Sequence, residues 1–196
     1  MPTAAPAQAT RCPWCQGDDL YLHYHDTEWG VPCRSDQQLF EFLVLESAQA
    51  GLAWITILRK RENYRRAFSG FDPGVVAGYG ERDVERLLGD AGIVRNRRKI
   101  ESAISNARLF LTVQQQLGSF ADYLWGFVDG KPLQNQWREM SEVPASTALS
   151  DRISKDMKQR GFRFFGTTIC YAYLQATGVV NDHLVDCFRY RACGEL

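Results

Sequence analysis

The sequence predicts an all-α protein. Apolar residues recur every three or four positions through most of the chain, and capping or stop residues bracket these periodic segments. No stretch alternates apolar with polar residues as a half-buried strand does, and no internal repeat is present. With 196 residues, 45% of them hydrophobic and 12% aromatic, the chain can bury a substantial core in one domain or two closely packed lobes.

Each expected helix has its own signals. Ser35 and Gln38 form a capping box, and the apolar face that follows continues until Gly51. Further helices are expected at 54–68, 81–88, about 96–110, 120–127, 150–160 and 167–176. Glycine and proline between residues 70 and 80 allow at most a short helix there, and residues 129–132 form a turn. Gly161 and Gly178 stop the last two helices.

Composition sets limits on the class of protein. Lys+Arg and Asp+Glu both total 23, so the net charge is zero and any nucleic-acid binding must use local patches. No apolar run is long enough for a bilayer span, and residues 1–10 lack the features of a signal peptide. We therefore expect a soluble cytoplasmic protein, without membrane contact, with a disordered tail at 1–10, a domain at 11–190 and a C-terminal tail at 191–196.

The two ends of the chain carry matching sets of metal-binding residue types. Cys12 and His25 lie near the start, and His183 and Cys187 lie near the finish. A His and a Cys four positions apart share one face of a helix, and two thiolates with two imidazoles suit a closed tetrahedral Zn²⁺ site. The six cysteines are too sparse for a disulfide framework and favour metal ligation or burial. The alternative is that these are four unrelated buried residues.

A short glycine-bounded segment, 161–166, joins the last two predicted helices and is flanked by basic residues. They are Lys155, Lys158, Arg160 and Arg163. Such a turn can aim backbone N–H groups and a helix N-terminus at a phosphate without any base contact. The alternative is an ordinary helix–helix turn on a solvated basic face.

Several strings in order resemble one family, the 3-methyladenine DNA glycosylases of the first bacterial type, within the helix-hairpin-helix glycosylase superfamily. The resemblance covers residues 11–190 and rests on the strings at 11–14, 24–32, 45–54, 161–170 and 180–183. It implies two helical lobes with a flipped base bound between them. It also implies one structural zinc per chain, joining the N- and C-terminal segments through Cys12, His25, His183 and Cys187.

By the same resemblance, a pocket for the extruded base is lined by Trp14, Tyr21, Tyr24 and Trp54. Glu46 is the expected catalytic and base-reading residue, accepting hydrogen bonds from the adenine edge. Because 3-methyladenine is cationic in DNA, stacking on Trp54 and pairing with Glu46 can favour it over neutral adenine by about 1–3 kcal/mol. On the residue pattern alone, Glu46 could equally be an exposed helix-terminal residue, and each aromatic could be core.

The resemblance further implies a monofunctional enzyme in which water attacks C1′ and no lysine forms a Schiff base. Other members of the superfamily carry a catalytic Asp where this chain has Asn181, with Asp182 as the neighbouring alternative. DNA contacts are expected from Arg163, Phe165 and Gly166 in the hairpin. Leu52 is the candidate wedge that fills the vacated stack, or else a core leucine. The expected partners are alkylated double-stranded DNA and, as product, free 3-methyladenine, bound by a monomer.

Two other classes stay open from the sequence. A zinc-stapled nucleic-acid-binding module without catalysis would keep the metal cluster and the hairpin but would not need Glu46. A thiol oxidoreductase would use Cys12 and Cys15, which form a C-x-x-C motif, although no strand precedes that motif. Cys15 is also a spare thiol that could replace His25 as a metal ligand. A second basic cluster, at 95–99, could face DNA or simply be solvated.

Overall fold

The computed structural model describes residues 9–194 and is mainly helical, as predicted. The α-helices are α1 Asp19–Thr27, α2 Asp36–Gln49, α3 Trp54–Ala67, α4 Pro73–Ala77, α5 Glu81–Gly89, α6 Arg97–Leu117, α7 Phe120–Trp125, α8 Ala148–Gln159, α9 Thr167–Ala176 and α10 Arg189–Gly194. Short 3₁₀ turns cover Pro13–Cys15, Ser69–Phe71, Gly126–Val128 and Met140–Glu142. Most of the tail expected at 1–10 lies outside the described residues.

Helix α2 is the centre of the core, because every residue from Leu39 to Ala48 is buried. The hydroxyl of Tyr173 on α9 donates to the Leu39 carbonyl at 3.1 Å. At the start of α2, the Asp36 carboxylate accepts the backbone N–H of Ala121 at 2.8 Å, at the start of α7. These bonds anchor α2 against two other helices, so the side chains near its end have fixed positions.

Helix ends follow the local signals, with one extension. The Ser35 hydroxyl accepts the Gln38 N–H at the start of α2, as the capping box predicts. Helix α6 continues to Leu117, beyond the expected end near residue 110, because its apolar face continues through Val113 until Gly118. The short helix allowed between residues 70 and 80 is α4.

Some elements were not expected from the sequence. Helix α1 has a weak apolar stripe, although Asp18 caps it by accepting the N–H groups of Leu20 and Tyr21. Two two-residue strands, β1 Leu133–Gln134 and β2 Val180–Asn181, pair in parallel, so the fold is mainly rather than wholly helical. Strands this short cannot produce an alternation signal. Residues 191–194, expected in a tail, belong to α10.

Gly178 marks a close approach between two parts of the backbone. It follows α9 with φ of +68°, and a Cβ there would lie 2.3 Å from the carbonyl carbon of Val31. Only glycine fits, so the end of α9 packs directly on the segment after α1. Across the described range 9–194, no helix is long and apolar enough to cross a membrane.

Candidate active site and metal centre

A cavity of about 360 Å³ lies among the N-terminal segment, the end of α2 and one face of α9. All five residues expected to bind a base line it, namely Trp14, Tyr21, Tyr24, Glu46 and Trp54. The remaining lining residues are Trp29, Gln49, Met140, Val143, Pro144, Ala145, Thr168, Tyr171, Ala172, Gln175 and Asp182. Its size and mixed aromatic and polar lining suit a small flat ligand.

The aromatic side of the cavity is a set of rings in mutual contact. The Trp14 ring packs edge-on against Tyr21 and Trp29, with centroids 5.5 and 5.0 Å away. The ring centroids of Tyr24 and Trp54 are 5.7 Å apart. Tyr21 is held from behind, because its hydroxyl accepts the Ile55 N–H at 3.0 Å. The rings are therefore fixed in place before any ligand enters.

Glu46 brings a carboxyl group into this aromatic surrounding. Glu46 is 4% exposed and, within residues 9–194, no hydrogen bond or ion pair contributes to its pKa. Burial alone raises the pKa of Glu46 to about 8. The sequence allowed Glu46 to be exposed at the end of a helix. In the structure α2 continues to Gln49, and Glu46 is buried. A buried carboxyl without a protein partner is suited to a ligand that offers donors or positive charge.

The opposite chain segments supply three polar residues, of which the sequence analysis considered only Asp182. Tyr171 and Gln175 lie four positions apart on one face of α9, and Asp182 follows β2. All three contribute to the cavity wall. The helical spacing of Tyr171 and Gln175 was available in the sequence, but nothing there showed that this face of α9 meets a cavity.

The four proposed metal ligands come together. Cys12, His25, His183 and Cys187 are buried, and one ligand atom from each lies within 4.8 Å of the others. The Cys187 Sγ is 3.4 Å from His25 Nε2 and 3.5 Å from His183 Nδ1, and Cys12 Sγ is 3.7 Å from the same Nδ1. A tetrahedral zinc with bonds of about 2.3 Å to sulfur and about 2.0–2.1 Å to nitrogen separates S from N by about 3.6 Å. The spacing of the donors fits that ion.

Neighbouring groups fix which ring nitrogen of each histidine faces the thiols. The Nδ1 atom of His25 pairs with the Asp26 carboxylate at 2.8 Å, so Nε2 points inward. Asp26 is held in turn by the Arg11 guanidinium at 2.9 Å. His183 is reversed, since its Nε2 pairs with the Trp29 carbonyl at 2.9 Å and Nδ1 points inward. Outward N–H groups held this way are typical of metal-binding histidines.

The electrostatics of the cluster favour the thiolate form of one cysteine and the neutral form of one histidine. A hydrogen bond from the Cys12 thiol, with others from the two histidines, holds the pKa of Cys187 well below its ordinary value. The same bond raises the pKa of Cys12. Burial lowers the pKa of His183, which favours its neutral form. One thiolate and a neutral imidazole are the forms that bind a metal.

One detail of the cluster differs from the sequence-based picture, and Cys15 is not part of the cluster. His183 and Cys187 lie in a turn between β2 and α10, not on one face of a helix. The turn is closed by the Cys187 N–H, which donates to the Leu184 carbonyl at 2.8 Å. Cys15 is outside the group of four, and its thiol donates to the Cys12 carbonyl at 3.1 Å. The C-x-x-C motif therefore contributes only the Cys12 sulfur to the cluster.

The residues expected to meet DNA fall into two surroundings. Arg163 and Gly166 are exposed, and Gly166 is the residue that precedes α9. Phe165 is buried, with its ring packed edge-on against Tyr173, so only its backbone is available to a ligand. Leu52 is 38% exposed in the loop between α2 and α3, which contradicts its reading as a core leucine.

The hairpin backbone is held by a buried amide. Asn106 on α6 accepts the Arg163 N–H at 2.9 Å and donates to the Arg163 carbonyl at 3.0 Å. At the tip, Phe164 is exposed and adopts a left-handed conformation with φ of +53°. Glycine adopts this conformation without strain, whereas phenylalanine rarely does. The Ser154 hydroxyl on α8 also donates to the Phe165 carbonyl, at 2.8 Å, so two side chains hold the hairpin backbone from beneath.

The basic cluster at 95–99 is mostly engaged with the protein. Lys99 donates to the carbonyls of Ala48 and Ala50 at 2.7 and 2.6 Å, and so caps the C-terminus of α2. Arg97 pairs with Glu81 at 2.7 Å. Both side chains are explained by the fold, so the cluster does not form a continuous free basic patch.

These features define a helical protein with a hairpin between two helices and an aromatic cavity that contains one unpartnered carboxyl group. The chain belongs to the methyladenine glycosylase family, whose model matches residues 14–190. It is 53% identical over 180 residues to DNA-3-methyladenine glycosylase 1 of Escherichia coli (strain K12), covering 92% of this chain and 96% of that protein. It is 44% identical over 178 residues to the DNA-3-methyladenine glycosylase of Haemophilus influenzae (strain ATCC 51907 / DSM 11121 / KW20 / Rd), covering 91% and 96%.

Solved structures agree with this assignment. A crystal structure of 3-methyladenine DNA glycosylase I superposes with a TM-score of 0.89 at 53% identity, covering 91% of this chain and 98% of that one. A 3-methyladenine DNA glycosylase I from Staphylococcus aureus, solved to describe 3-methyladenine recognition, gives 0.89 at 39% identity, covering 92% and 96%. A variant of a similar enzyme, solved in complex with 3-methyladenine, also gives 0.89, at 38% identity and coverage of 92% and 97%.

Proposed function

We propose that this protein is a DNA base-excision repair glycosylase that extrudes 3-methyladenine from alkylated double-stranded DNA and releases it by hydrolysis. The observation that carries the proposal is Glu46, a buried carboxyl group without a protein partner inside an aromatic cavity. The family membership of the chain supports the same substrate. We assign base binding to Trp14, Tyr21, Tyr24, Glu46 and Trp54.

Charge can distinguish the damaged base from a normal one. A cation that enters the cavity stabilises the ionised form of Glu46 and can stack on Trp54, whereas neutral adenine gains neither the charge-assisted bond nor the full cation–π attraction. Together these terms amount to about 1–3 kcal/mol. Because the pKa of Glu46 is about 8 in the empty cavity, binding of the cation near neutral pH should release a proton.

The reaction requires little further catalysis from the protein. 3-Methyladenine departs as an already activated leaving group, so recognition and extrusion account for most of the selectivity. Within the described residues, no lysine lines the cavity, which supports a monofunctional enzyme that uses water at C1′ and lacks a Schiff-base step. Glu46 is the catalytic residue of this proposal, since it contacts the departing base.

We assign a structural Zn²⁺ to Cys12, His25, His183 and Cys187, one ion per chain. The donor set, the S–N spacing and the outward partners of both imidazoles fit that ion. When bound, the metal contributes stability and joins the N-terminal wall of the cavity to the C-terminal segment. It takes no part in the reaction, because four protein donors leave no open position.

DNA is proposed to lie across the mouth of the cavity between two helical lobes of one domain. The backbone of Arg163, Phe165 and Gly166, with the Arg163 guanidinium, would bind a phosphate, and Leu52 would fill the gap that the extruded base leaves. We propose that the enzyme acts as a monomer in the cytoplasm. The six cysteines form no disulfide among residues 9–194, which accords with a reducing compartment.

Incubation with methylated DNA tests the proposal directly. Purified protein should release 3-methyladenine, as measured by chromatography of the free base, and parallel assay of 3-methylguanine would define the substrate range. A strand-cleavage assay without added lyase should show no β-elimination. Binding to DNA without release of any base would instead identify the non-catalytic zinc-stapled module.

Substitution of Glu46 tests the charge argument. Glu46→Gln keeps the size of the side chain but removes its charge, so the second-order rate of release of 3-methyladenine from methylated DNA, in which the base is cationic, should fall about tenfold to a hundredfold. Affinity for undamaged DNA should persist, because phosphate contacts set it. Glu85→Gln, an exposed change on α5, is the control. Equal release rates in wild type and Glu46→Gln would show that stacking alone selects the base.

A further inference from the structure

Asp182 is a buried carboxylate in the cavity wall, and its surroundings suggest a role distinct from chemistry. It is 1% exposed. Its Oδ1 accepts hydrogen bonds from Asn135 Nδ2 at 2.6 Å and from Trp137 Nε1 at 2.8 Å. Its Oδ2 accepts from the Tyr171 hydroxyl at 2.5 Å and from Gln175 Nε2 at 2.7 Å. Four donors from two separate parts of the chain therefore converge on one side chain.

The number of donors matches the capacity of a carboxylate. Two oxygens offer about four acceptor positions, and all four are filled by protein groups. A carboxylate in this state has no free lone pair to offer a water molecule or a positively charged sugar. Asn181, next to it, is equally engaged, since its amide donates to the Gln134 side chain and to the Tyr190 carbonyl, each at 2.9 Å.

The bonds to Asp182 also determine what the wall presents to a ligand. Burial, reinforced by the bond to Asp182, raises the pKa of the Tyr171 phenol far above its ordinary value, so its proton stays directed at Asp182. The Tyr171 oxygen and the Gln175 Oε1 atom are then left as acceptors. A ligand edge rich in N–H groups, such as an exocyclic amine, complements acceptors of this kind.

Building on the proposed function, we infer that Asp182 is a positioning residue, which holds Tyr171 and Gln175 in the orientation that binds the base and does not act on the sugar. The sequence left open whether Asn181 or Asp182 takes the place of the catalytic Asp, and this inference gives Asp182 a positioning role instead. Asp182 also connects the two sites, because the next residue, His183, belongs to the metal cluster.

Asp182→Asn provides the test. The amide keeps one oxygen but turns an NH₂ group toward donors, so at least two of the four buried donors lose their acceptor. Two quantities are measured, the Kd for free 3-methyladenine by tryptophan fluorescence and the single-turnover rate of base release from methylated DNA as a function of enzyme concentration, which gives both the second-order rate and the saturated rate. Asp186→Asn, an exposed change in the same segment, is the matched control.

A positioning role predicts that Kd rises about tenfold and that the second-order rate of release falls by a similar factor. An unchanged Kd with a saturated rate lowered a hundredfold would overturn the inference in favour of direct action on the sugar. Changes in thermal stability alone, with both quantities within about twofold of wild type, would also overturn it. If the wild type released no base, the proposed function would be wrong, but the Kd values of wild type and Asp182→Asn would still test the inference.

Tyr171→Phe covers the case in which Asp182→Asn does not fold. It removes the hydroxyl that donates to Asp182, while the other three donors keep Asp182 as their acceptor. The Kd should therefore rise by a smaller factor, about threefold. In the double variant the two effects should be clearly less than additive, because both act through the same hydrogen bond. Additive effects would show that Asp182 does not act through Tyr171, and would contradict the inference.

Discussion

Replacement of Glu46 by glutamine should change how the stability of this protein depends on pH. Burial raises the pKa of Glu46 from 4.5 to about 8 in the folded chain. Between those values the folded state holds a proton that the unfolded state releases, so the free energy of unfolding falls as pH rises. The slope approaches 1.4 kcal/mol per pH unit, and the loss between pH 5.5 and 7.5 is about 2.5 kcal/mol.

The neutral amide in Glu46→Gln removes this contribution. The variant should match wild type near pH 4.5 and exceed it by about 3.5 kcal/mol at pH 7.5, which differs from the small effect expected of an exposed carboxylate. Urea unfolding followed by tryptophan fluorescence at half-unit pH steps measures the difference. Titration of the metal cluster affects both proteins and cancels in that difference. Glu85→Gln should follow wild type throughout, and parallel curves for wild type and Glu46→Gln would refute the argument.

Three further predictions concern the scaffold. Cys187→Ala should reduce the metal content from about one zinc per chain to none and lower the melting temperature, as measured by metal analysis and calorimetry; native protein without zinc would contradict the assigned site. Gly178→Ala should destabilise the fold by at least about 2 kcal/mol in urea unfolding, because its Cβ would collide with the backbone of Val31, and near-wild-type stability would show that the close approach is relaxed in solution. Asn106→Leu should strand both backbone groups of Arg163 and weaken DNA binding while the Kd for free 3-methyladenine stays unchanged; equal loss of both affinities would point to general unfolding.

The helices with caps and stops could be predicted because their signals are local. Each signal determines the start, length or end of a helix within a few residues of its own position. Examples are Ser35, the glycine after α8 and the apolar face of α6. Helix α1 was missed because its apolar and polar residues are mixed around the helix, and its stability comes from the Asp18 cap and from tertiary packing. Propensity and periodicity carry little information about such a segment.

The candidate site was only half predictable, and for a related reason. The metal ligands could be proposed because few residue types bind zinc and the chain contains only three histidines. The polar wall of the cavity could not, because Asp182 is separated from Asn135 by 47 positions and from Trp137 by 45. Hydrogen bonds over such distances leave no trace in spacing or composition, so an acceptor shared by four donors is visible only in three dimensions.

The metal cluster imposes an order on the formation of the active site. Its ligands are drawn from residues 12 and 25 and from residues 183 and 187, so the cluster cannot close until the chain has been synthesised almost to its last helix. Trp14 lies between the first two ligands and Asp182 directly precedes the third. Both walls of the cavity therefore depend on the meeting of the four ligand residues. We therefore expect that a nascent chain with folded central helices still lacks both walls of the pocket until the C-terminal ligands reach Cys12 and His25.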